Sequence, residues 1–269
     1  MMSAERARSF DAWAAEYDRY RPGYPTELFD EIARRLGIGD RPRVADLGAG
    51  TGLATLAMAG RGWSMTAVEP GAPMLEILRE RAAASNHDIA TVEASAEDTG
   101  LPTGAFDLAT AAQAFHWFDH PVALREMARV VRPGGGIALF WNVRDAAASP
   151  LLADYNALFD AYGIGVDSRL PGRSAGTARR IAETGAFEPS EFFQVPNRQV
   201  LDRAGFIGLA FTKSYVRALE PEMRARFRDD LEALIDRHLP AGGSVEIPYI
   251  IDCEIARRND RRNDRRNDR

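Results

Sequence analysis

The run Val44-Ala45-Asp46-Leu47-Gly48-Ala49-Gly50-Thr51-Gly52 constrains the fold more than any other stretch of the chain. Its apolar start suits a buried strand, and glycines at three alternate positions free the backbone to turn tightly and approach a ligand closely before a helix begins. The spacing is G-x-G-x-G. Leu53 stands where the dinucleotide fingerprint needs its third glycine, which argues against NAD. Asp46 precedes the turn, where an acid repels a phosphate and attracts an amine, so a ligand that is cationic near this loop is expected. Seventeen residues beyond Gly52, the apolar run from Met65 to Val68 ends in Glu69, placed like the acid that receives ribose hydroxyls at the end of a second strand.

The rest of residues 1–145 alternates in the same way. Phe10, Trp13, Ala14 and Tyr17 fall at helical spacing before Pro22-Gly23. A second helix spans Thr26 to Leu36, with Thr26 as N-cap, an inward face of Leu28, Phe29, Ile32 and Leu36, and Gly37 as its stop. Helices are expected over 53–59, 73–84 and 122–131, with strands over 64–69, 89–93, 106–111 and 137–142. Strand and helix in alternation describe a doubly wound parallel sheet. Met74 lies on a helical face, where packing and contact with a ligand ring are both open.

Four phrases carry a family resemblance: D-L-G-A-G-T-G at 46–52, Glu69, F-D-L-A-T-A-A at 106–112 and R-V-V-R-P-G-G-G at 129–136. Over roughly residues 40–145 the chain resembles class I S-adenosylmethionine-dependent methyltransferases, of the type 11 methyltransferase domain. The resemblance implies an α/β fold: a Rossmann-like, doubly wound, seven-stranded sheet with flanking helices, an N-terminal helical cover over 1–37 and a helical, lid-like insertion over about 146–176. It implies one domain over 1–258, with a low-complexity tail at 259–269. The implied cofactor is S-adenosyl-L-methionine, released as S-adenosyl-L-homocysteine, with no metal. Gly48, Gly50, Gly52, Asp46, Glu69 and Gln113 would hold it. Y-x-x-x-R-P-x-Y-P resembles a segment that family members fold over the methionine end, so Arg21 is expected on the cofactor carboxylate, covered by Tyr17 or Tyr24. A-S-A-E-D at 94–98 resembles the adenine-reading turn; Ser95 replaces the usual Asp, leaving Ser95, the Ala96 N–H and Glu97 as readers.

Gln113, Phe115, His116, Trp117, Phe118 and His120 fall within eight residues. They read as a pocket wall, His116 accepting a proton and the rings sheltering a sulfonium, or as aromatics packed under the next helix. His120 is placed at the start of that helix. Trp141, Asn142 and Arg144 lie at the carboxyl end of the fifth strand, where open α/β sheets place ligands; with Tyr24 and Trp117 they form the expected acceptor wall. Leu151, Tyr155, Leu158, Phe159 and Tyr162 make an aromatic helical stripe, read either as part of a lid or as an ordinary packed helix. Arg169 and Arg173 follow in a glycine-rich loop.

Further on, a helix over 178–184 and a strand near 192–195 precede a helix after Pro221 that carries His238 on its packed stripe. Val245, Ile247, Tyr249, Ile251, Cys253 and Ile255 alternate over a final strand, against which Pro248 stands as a local conflict.

Composition limits the partners. Residues 257–269 hold seven Arg and three Asp, a charge of +4 within a formal total of −5, so the remainder carries −9 and does not seek nucleic acid by charge. One cysteine precludes an internal disulfide and an all-cysteine metal site. No run of about 18 apolar residues and no basic-then-apolar leader occurs, so a cytoplasmic protein without membrane partners, monomer or homodimer, is expected. The expected reaction is direct methyl transfer to a small-molecule acceptor, at oxygen of a carboxylate or hydroxyl, with His116 as base where the nucleophile needs one. The layout is similar to trans-aconitate methyltransferases. C- or N-methylation of a small metabolite, or a non-catalytic cofactor-binding regulatory module, are the alternatives.

Overall fold

The computed structural model describes residues 20–164, 176–239 and 242–259. Helix α1 (Thr26–Leu36) precedes β1 (Arg43–Leu47), α2 (Leu53–Gly60), β2 (Ser64–Val68), α3 (Ala72–Ala84) and β3 (Ile89–Val92). Then come β4 (Phe106–Ala112), a 3-10 turn at Phe115–Trp117, α4 (His120–Val130) and β5 (Val131–Arg144). The second half adds α5 (Pro150–Ala161), α6 (Thr177–Glu183), β6 (Glu191–Asp202), α7 (Arg203–Phe211), α8 (Ser214–Arg217), α9 (Pro221–His238) and β7 (Ser244–Arg257).

The strands form one seven-stranded sheet in the order β3-β2-β1-β4-β5-β7-β6. Pairings from β3 through β5 are parallel, and β7 is antiparallel to both β5 and β6. This is the expected doubly wound α/β architecture. The order reverses between β1 and β4, which puts a crevice outside their carboxyl ends.

Side chains alternate across β5 and build two layers. Ile137, Leu139 and Trp141 join Leu124 and Met127 of α4 on one face. Ala138 and Phe140 join Leu28, Phe29 and Ile32 of α1, Met58 of α2, and Ile251, Cys253 and Ile255 of β7 on the other. A third cluster ties Leu151, Tyr155 and Phe159 of α5 to Phe206 of α7, to Phe227, Leu231 and Leu234 of α9, and to Ile247 and Tyr249 of β7. The aromatic stripe of α5 is therefore core; the arginine-bearing loop after it, with Arg169 and Arg173, lies outside the described residues. His238 Nε2 sits 2.8 Å from Asp154 Oδ2, linking α9 to α5.

Several local expectations are corrected. Pro25, not Thr26, occupies the N-cap of α1, and no side chain caps it; Gly37 ends the helix at φ 57° as expected. The strand near 192–195 extends from Glu191 to Asp202, because β7 pairs with it along its whole length. Pro248 fits β7 because its carbonyl, which accepts from Asp145 N–H at 3.0 Å, shares a side with its nitrogen, just past the last β5 pair. No ladder donor is needed there.

Candidate functional site

The glycine turn projects from β1 with φ of 69°, 56° and 87° at Gly48, Gly50 and Gly52. The N–H groups of Gly48 and Ala49 donate to the Val68 carbonyl at 2.8 and 3.1 Å, which fastens the turn to β2. The three glycines meet different surroundings. A Cβ on Gly48 would lie 2.6 Å from the Ala114 Cβ, and one on Gly52 2.7 Å from Leu78 Cγ, whereas one on Gly50 would meet, among the described residues, Met74 Sδ at 3.9 Å. Gly50 is thus the least crowded of the trio among the described residues.

Glu69 completes this cradle. Its Oε2 accepts from Gly50 N–H and its Oε1 from Gly71 N–H, both at 3.0 Å, with the residue 8% exposed. Two backbone donors aim the carboxylate. Asp46 takes a different place from the one its sequence position suggests. It is fully buried, its carboxylate accepting from the Thr55 hydroxyl at 2.6 Å and the Thr110 hydroxyl at 2.8 Å. Burial raises its pKa to about 6 against the two hydroxyls. Its attraction for a cation would act from beneath the turn, through the Thr-lined wall, rather than by contact.

At the end of β4, Gln113 holds a left-handed backbone at φ 57°, uncommon for a residue with a side chain and concentrated at functional sites. Its N–H donates to the Phe140 carbonyl and its Nε2 to the Asn142 carbonyl, at 2.9 and 3.1 Å, so β5 holds the strained residue in place. The 3-10 turn that follows separates the aromatic run. Phe115 is buried against Trp141 and His120, with ring centroids 6.4 and 4.6 Å apart. His116 and Trp117 are exposed with rings 4.8 Å apart. The packing reading holds for Phe115, whereas His116 and Trp117 are exposed. Phe118 leans over the turn, 3.3 Å or less from where a Gly48 Cβ would be.

The 94–98 turn closes the far side. Ser95 bridges Asp98, and Ala96 is buried. Glu97 spends Oε1 on the Asp119 N–H at 2.8 Å, joining this turn to the N-cap of α4 and leaving its other oxygen to meet a ligand amine. His120 opens α4 as expected, its pKa lowered by burial and then by Arg180.

On the opposite side, residues 20–24 lie across the ends of β5 and β6. Side-chain amides hold them: Asn142 Nδ2 donates to the Gly23 carbonyl at 3.3 Å, Asn197 Nδ2 to the same carbonyl at 2.9 Å, and Gln199 Nε2 to the Tyr20 carbonyl at 3.0 Å. Tyr24 meets Phe140 edge-on, with ring centroids 5.1 Å apart, which makes it part of the packing under the cover. Burial raises the pKa of Tyr249, and Arg144 and then Arg21 oppose the rise. Tyr17 lies outside the described residues.

Trp141 corrects an expectation. It is 1% exposed and belongs to the layer beneath the sheet, because β5 alternates and Trp141 has the parity of Leu139 rather than that of Asn142 and Arg144. It forms no acceptor wall. Arg144 does project on the cover side, its guanidinium 5.0 Å from the ring centroid of Tyr155. Sequence reasoning missed Asn197 and Gln199 as the residues that hold 20–24, and Tyr155 and Tyr249 as neighbours of Arg144. The one available signal was the amide-rich phrase Q-V-P-N-R-Q in a strand, too polar for a buried element. Among the described residues no group of three or more His, Cys, Asp or Glu could hold a metal ion, and no helix is long and apolar enough to cross a membrane.

With this geometry in place, comparison with known proteins is informative. The family described as methyltransferase domain matches residues 45–139. An uncharacterized methyltransferase of Mycobacterium tuberculosis is 33% identical over 247 residues, which covers 91% of this chain and 93% of that protein. A structure from Anaeromyxobacter dehalogenans, described as a type II methyltransferase, superposes with a TM-score of 0.65 at 23% identity, over 88% of this chain and 98% of that one. Phosphoethanolamine N-methyltransferase 2 of Haemonchus contortus, in complex with S-adenosyl-L-methionine, superposes with a TM-score of 0.56 at 15% identity, over 94% of this chain and 60% of that one. The two structural likenesses are likenesses of fold.

Proposed function

We propose, from the premise that the chain belongs to the class I S-adenosylmethionine-dependent methyltransferases, that it methylates a small-molecule acceptor at oxygen, on a carboxylate or a hydroxyl. The observation that carries the cofactor half of this reading is the cradle of Gly50 and Glu69. A glycine with, among the described residues, only Met74 Sδ within 4 Å of its missing Cβ adjoins a carboxylate already aimed by two backbone donors.

The residues fit the cofactor in parts. Glu69 would accept from the ribose hydroxyls, and Ser95, the Ala96 N–H and the remaining Glu97 oxygen would read the adenine. Gly48, Gly50 and Gly52 give the backbone room for the adenosyl group, with Gln113 beside the methionine portion and Arg21 on its carboxylate. Asp46 would add negative potential from below. When bound, S-adenosyl-L-methionine supplies an electrophilic methyl group on a sulfonium. The protein's part is to align an acceptor with that methyl and to keep water out, which positioning and exclusion accomplish without a covalent enzyme intermediate. Phe118 and Trp117 offer aromatic faces that favour a cation. His116, exposed at the crevice, would take the proton of a hydroxyl acceptor at an imidazole nitrogen; a carboxylate acceptor needs no base.

A small acceptor, rather than nucleic acid or membrane, is favoured by the acidic body of the chain. The fold suits such acceptors: the Haemonchus contortus enzyme has been captured with phosphomonomethylethanolamine and S-adenosylhomocysteine. Calorimetric titration of S-adenosylmethionine and S-adenosylhomocysteine into wild type, Glu69→Ala and Gly50→Val tests the cradle; binding to wild type that both changes abolish is expected. Methyl transfer from labelled cofactor to a panel of small acids, phenols and amines tests the acceptor, with alkali separating esters from ethers and amines. Label appearing in amines, or in RNA in preference to all small acceptors, would overturn the oxygen assignment.

A further inference from the structure

Arg144, Tyr155 and Tyr249 come from β5, α5 and β7 and meet behind the amide-held cover. Arg144 and Tyr249 are paired across β5 and β7, and Tyr249 is paired with Asn197 across β7 and β6, so these side chains share one face of the sheet. Tyr155 approaches that face from α5, and its side chain is 0% exposed.

The chemistry of this group is unbalanced. The Nη1 of Arg144 and the hydroxyl of Tyr155 are both buried and face each other, the phenol oxygen able to accept from the guanidinium, yet the pair falls short of a well-formed hydrogen bond. Arg144 also makes no ion pair among the described residues. The Tyr249 hydroxyl reaches Gln199 Oε1 only at 3.4 Å. Buried donors are normally paired, and a buried cation without an acid is costlier still. The two phenols can each turn an O–H donor outward while their oxygens accept, and the one charge among the three side chains, that of Arg144, is positive. What would satisfy all of them together is an oxyanion.

We propose that Arg144, Tyr155 and Tyr249 form the anchor subsite for a carboxylate group of the methyl acceptor. The inference rests on the methyltransferase reading above and adds the acceptor's chemical class. A planar guanidinium presents parallel N–H donors that match the two oxygens of a carboxylate, and the phenols supply O–H donors to the remaining lone pairs. Two carboxylates could come to this face, that of the acceptor and that of the cofactor's methionine portion. The fold favours the acceptor. The cradle for the cofactor stands on β1 and β2, whereas Arg144, Tyr155 and Tyr249 belong to β5, α5 and β7, on the other side of β4. The anchored carboxylate is held and neutralised rather than methylated, so the reacting oxygen is a second group of the same molecule, facing the crevice at Gln113 and His116.

The test uses the full chain saturated with S-adenosylhomocysteine, the saturation itself measured by calorimetry. Into it are titrated benzoate, 3-phenylpropanoate and succinate, each beside its neutral amide, with phenyl phosphate as the competing oxyanion. At least one carboxylate is expected to bind about tenfold or more tighter than its amide, and Arg144→Gln to abolish that preference, as loss of a charged hydrogen bond implies. Tyr155→Phe, which keeps the ring and the packing, is expected to weaken the same carboxylate several-fold, about threefold or more. Affinity for S-adenosylhomocysteine should stay within about twofold of wild type in both variants.

Equal binding of acids and amides, or an acid preference that survives Tyr155→Phe and Arg144→Gln alike, would overturn the proposal. So would a preference for phenyl phosphate. A tenfold loss of S-adenosylhomocysteine affinity in Arg144→Gln would reassign the subsite to the cofactor. Absence of S-adenosylhomocysteine binding to wild type would instead bring down the methyltransferase reading on which the proposal rests. Should Arg144→Gln fail to fold, the acid-to-amide ratio of wild type and the Tyr155→Phe variant decide the matter.

Discussion

Gly48, Gly50 and Gly52 share a left-handed backbone, yet each lacks a side chain for a different reason. At Gly48 and Gly52 the missing Cβ leaves room for Ala114 and Leu78, both buried; at Gly50 the nearest described atom is Met74 Sδ at 3.9 Å, which leaves room for the proposed cofactor. All three alanine variants incur about 1–2 kcal/mol for the left-handed conformation. Gly48→Ala and Gly52→Ala add overpacking of about 1–3 kcal/mol. Thermal melts should therefore rank Gly50→Ala as the least destabilised, while calorimetry should show it losing cofactor affinity; an equal drop in Tm for all three would contradict this division. Asp46 makes a second prediction at this scale. Folded, it keeps its proton up to about pH 6, while the unfolded chain releases it near pH 4, about the ordinary Asp value. In that window the native state binds more protons, so stability falls as pH rises through it and stays lowered above it. Asp46→Asn should raise Tm at about pH 8 and change it little at about pH 4, with the two curves converging as pH falls. A gain that is independent of pH would show that folding leaves the Asp46 pKa unshifted.

Helix α4 shows how an element is fastened to the site it serves. Asp119 Oδ1 accepts from Val122 N–H at 3.3 Å, while its own N–H donates to Glu97 in the turn expected to read adenine. Farther along, Glu126 accepts from the Thr99 N–H at 2.9 Å and from the Thr99 hydroxyl, and pairs with Arg129 at 2.7 Å. Arg129, then the Thr99 donors, hold its carboxyl at about 2 despite opposing burial. This contribution is present above the ordinary Glu range, near pH 4.3, and is lost as pH falls toward about 2. Glu126→Ala would leave the buried Thr99 groups unpaired, so its expected cost is about 2–3 kcal/mol in urea unfolding. Asp119→Ala, a lost cap, should cost about 1 kcal/mol by the same measurement. If Asp119→Ala proved as costly as Glu126→Ala, the fastening at Thr99 would not be the stronger one. Elements with a continuous apolar face, such as α1 with Leu28, Phe29, Ile32 and Leu36, were legible from spacing alone. Strand β6 was legible only in its first residues, since an edge strand carrying Pro196, Asn197 and Gln199 lacks a continuous hydrophobic signal and exists because β7 pairs with it.

The whole molecule depends on its last described strand. β7 lies between β5 and β6, contributes to the second and third clusters and carries Tyr249 of the anchor subsite. A chain ending at residue 243 would leave β5 an unpaired edge and strip β6 of its only neighbour in the sheet. It is expected to show no cooperative thermal transition by circular dichroism and to elute as aggregate; a monomer with a sharp transition would contradict that reading. What the sequence by itself determined is what short-range chemistry controls. Glycines at 48, 50 and 52 permit a positive φ without reference to the rest of the chain, Glu69 follows its strand directly, and periodicity announces the packed faces of α1, α4 and β7. Those elements and the doubly wound sheet could be read in advance. Tertiary structure alone decided the partners. Asp46 met two threonine hydroxyls instead of a ligand surface, Trp141 turned into the core while Arg144 turned out of it, and Arg144 came opposite Tyr249 across a gap of more than a hundred residues in sequence. Register between distant strands sets such pairs, because a shift of one residue moves every side chain to the other face, and no local pattern in either strand specifies it.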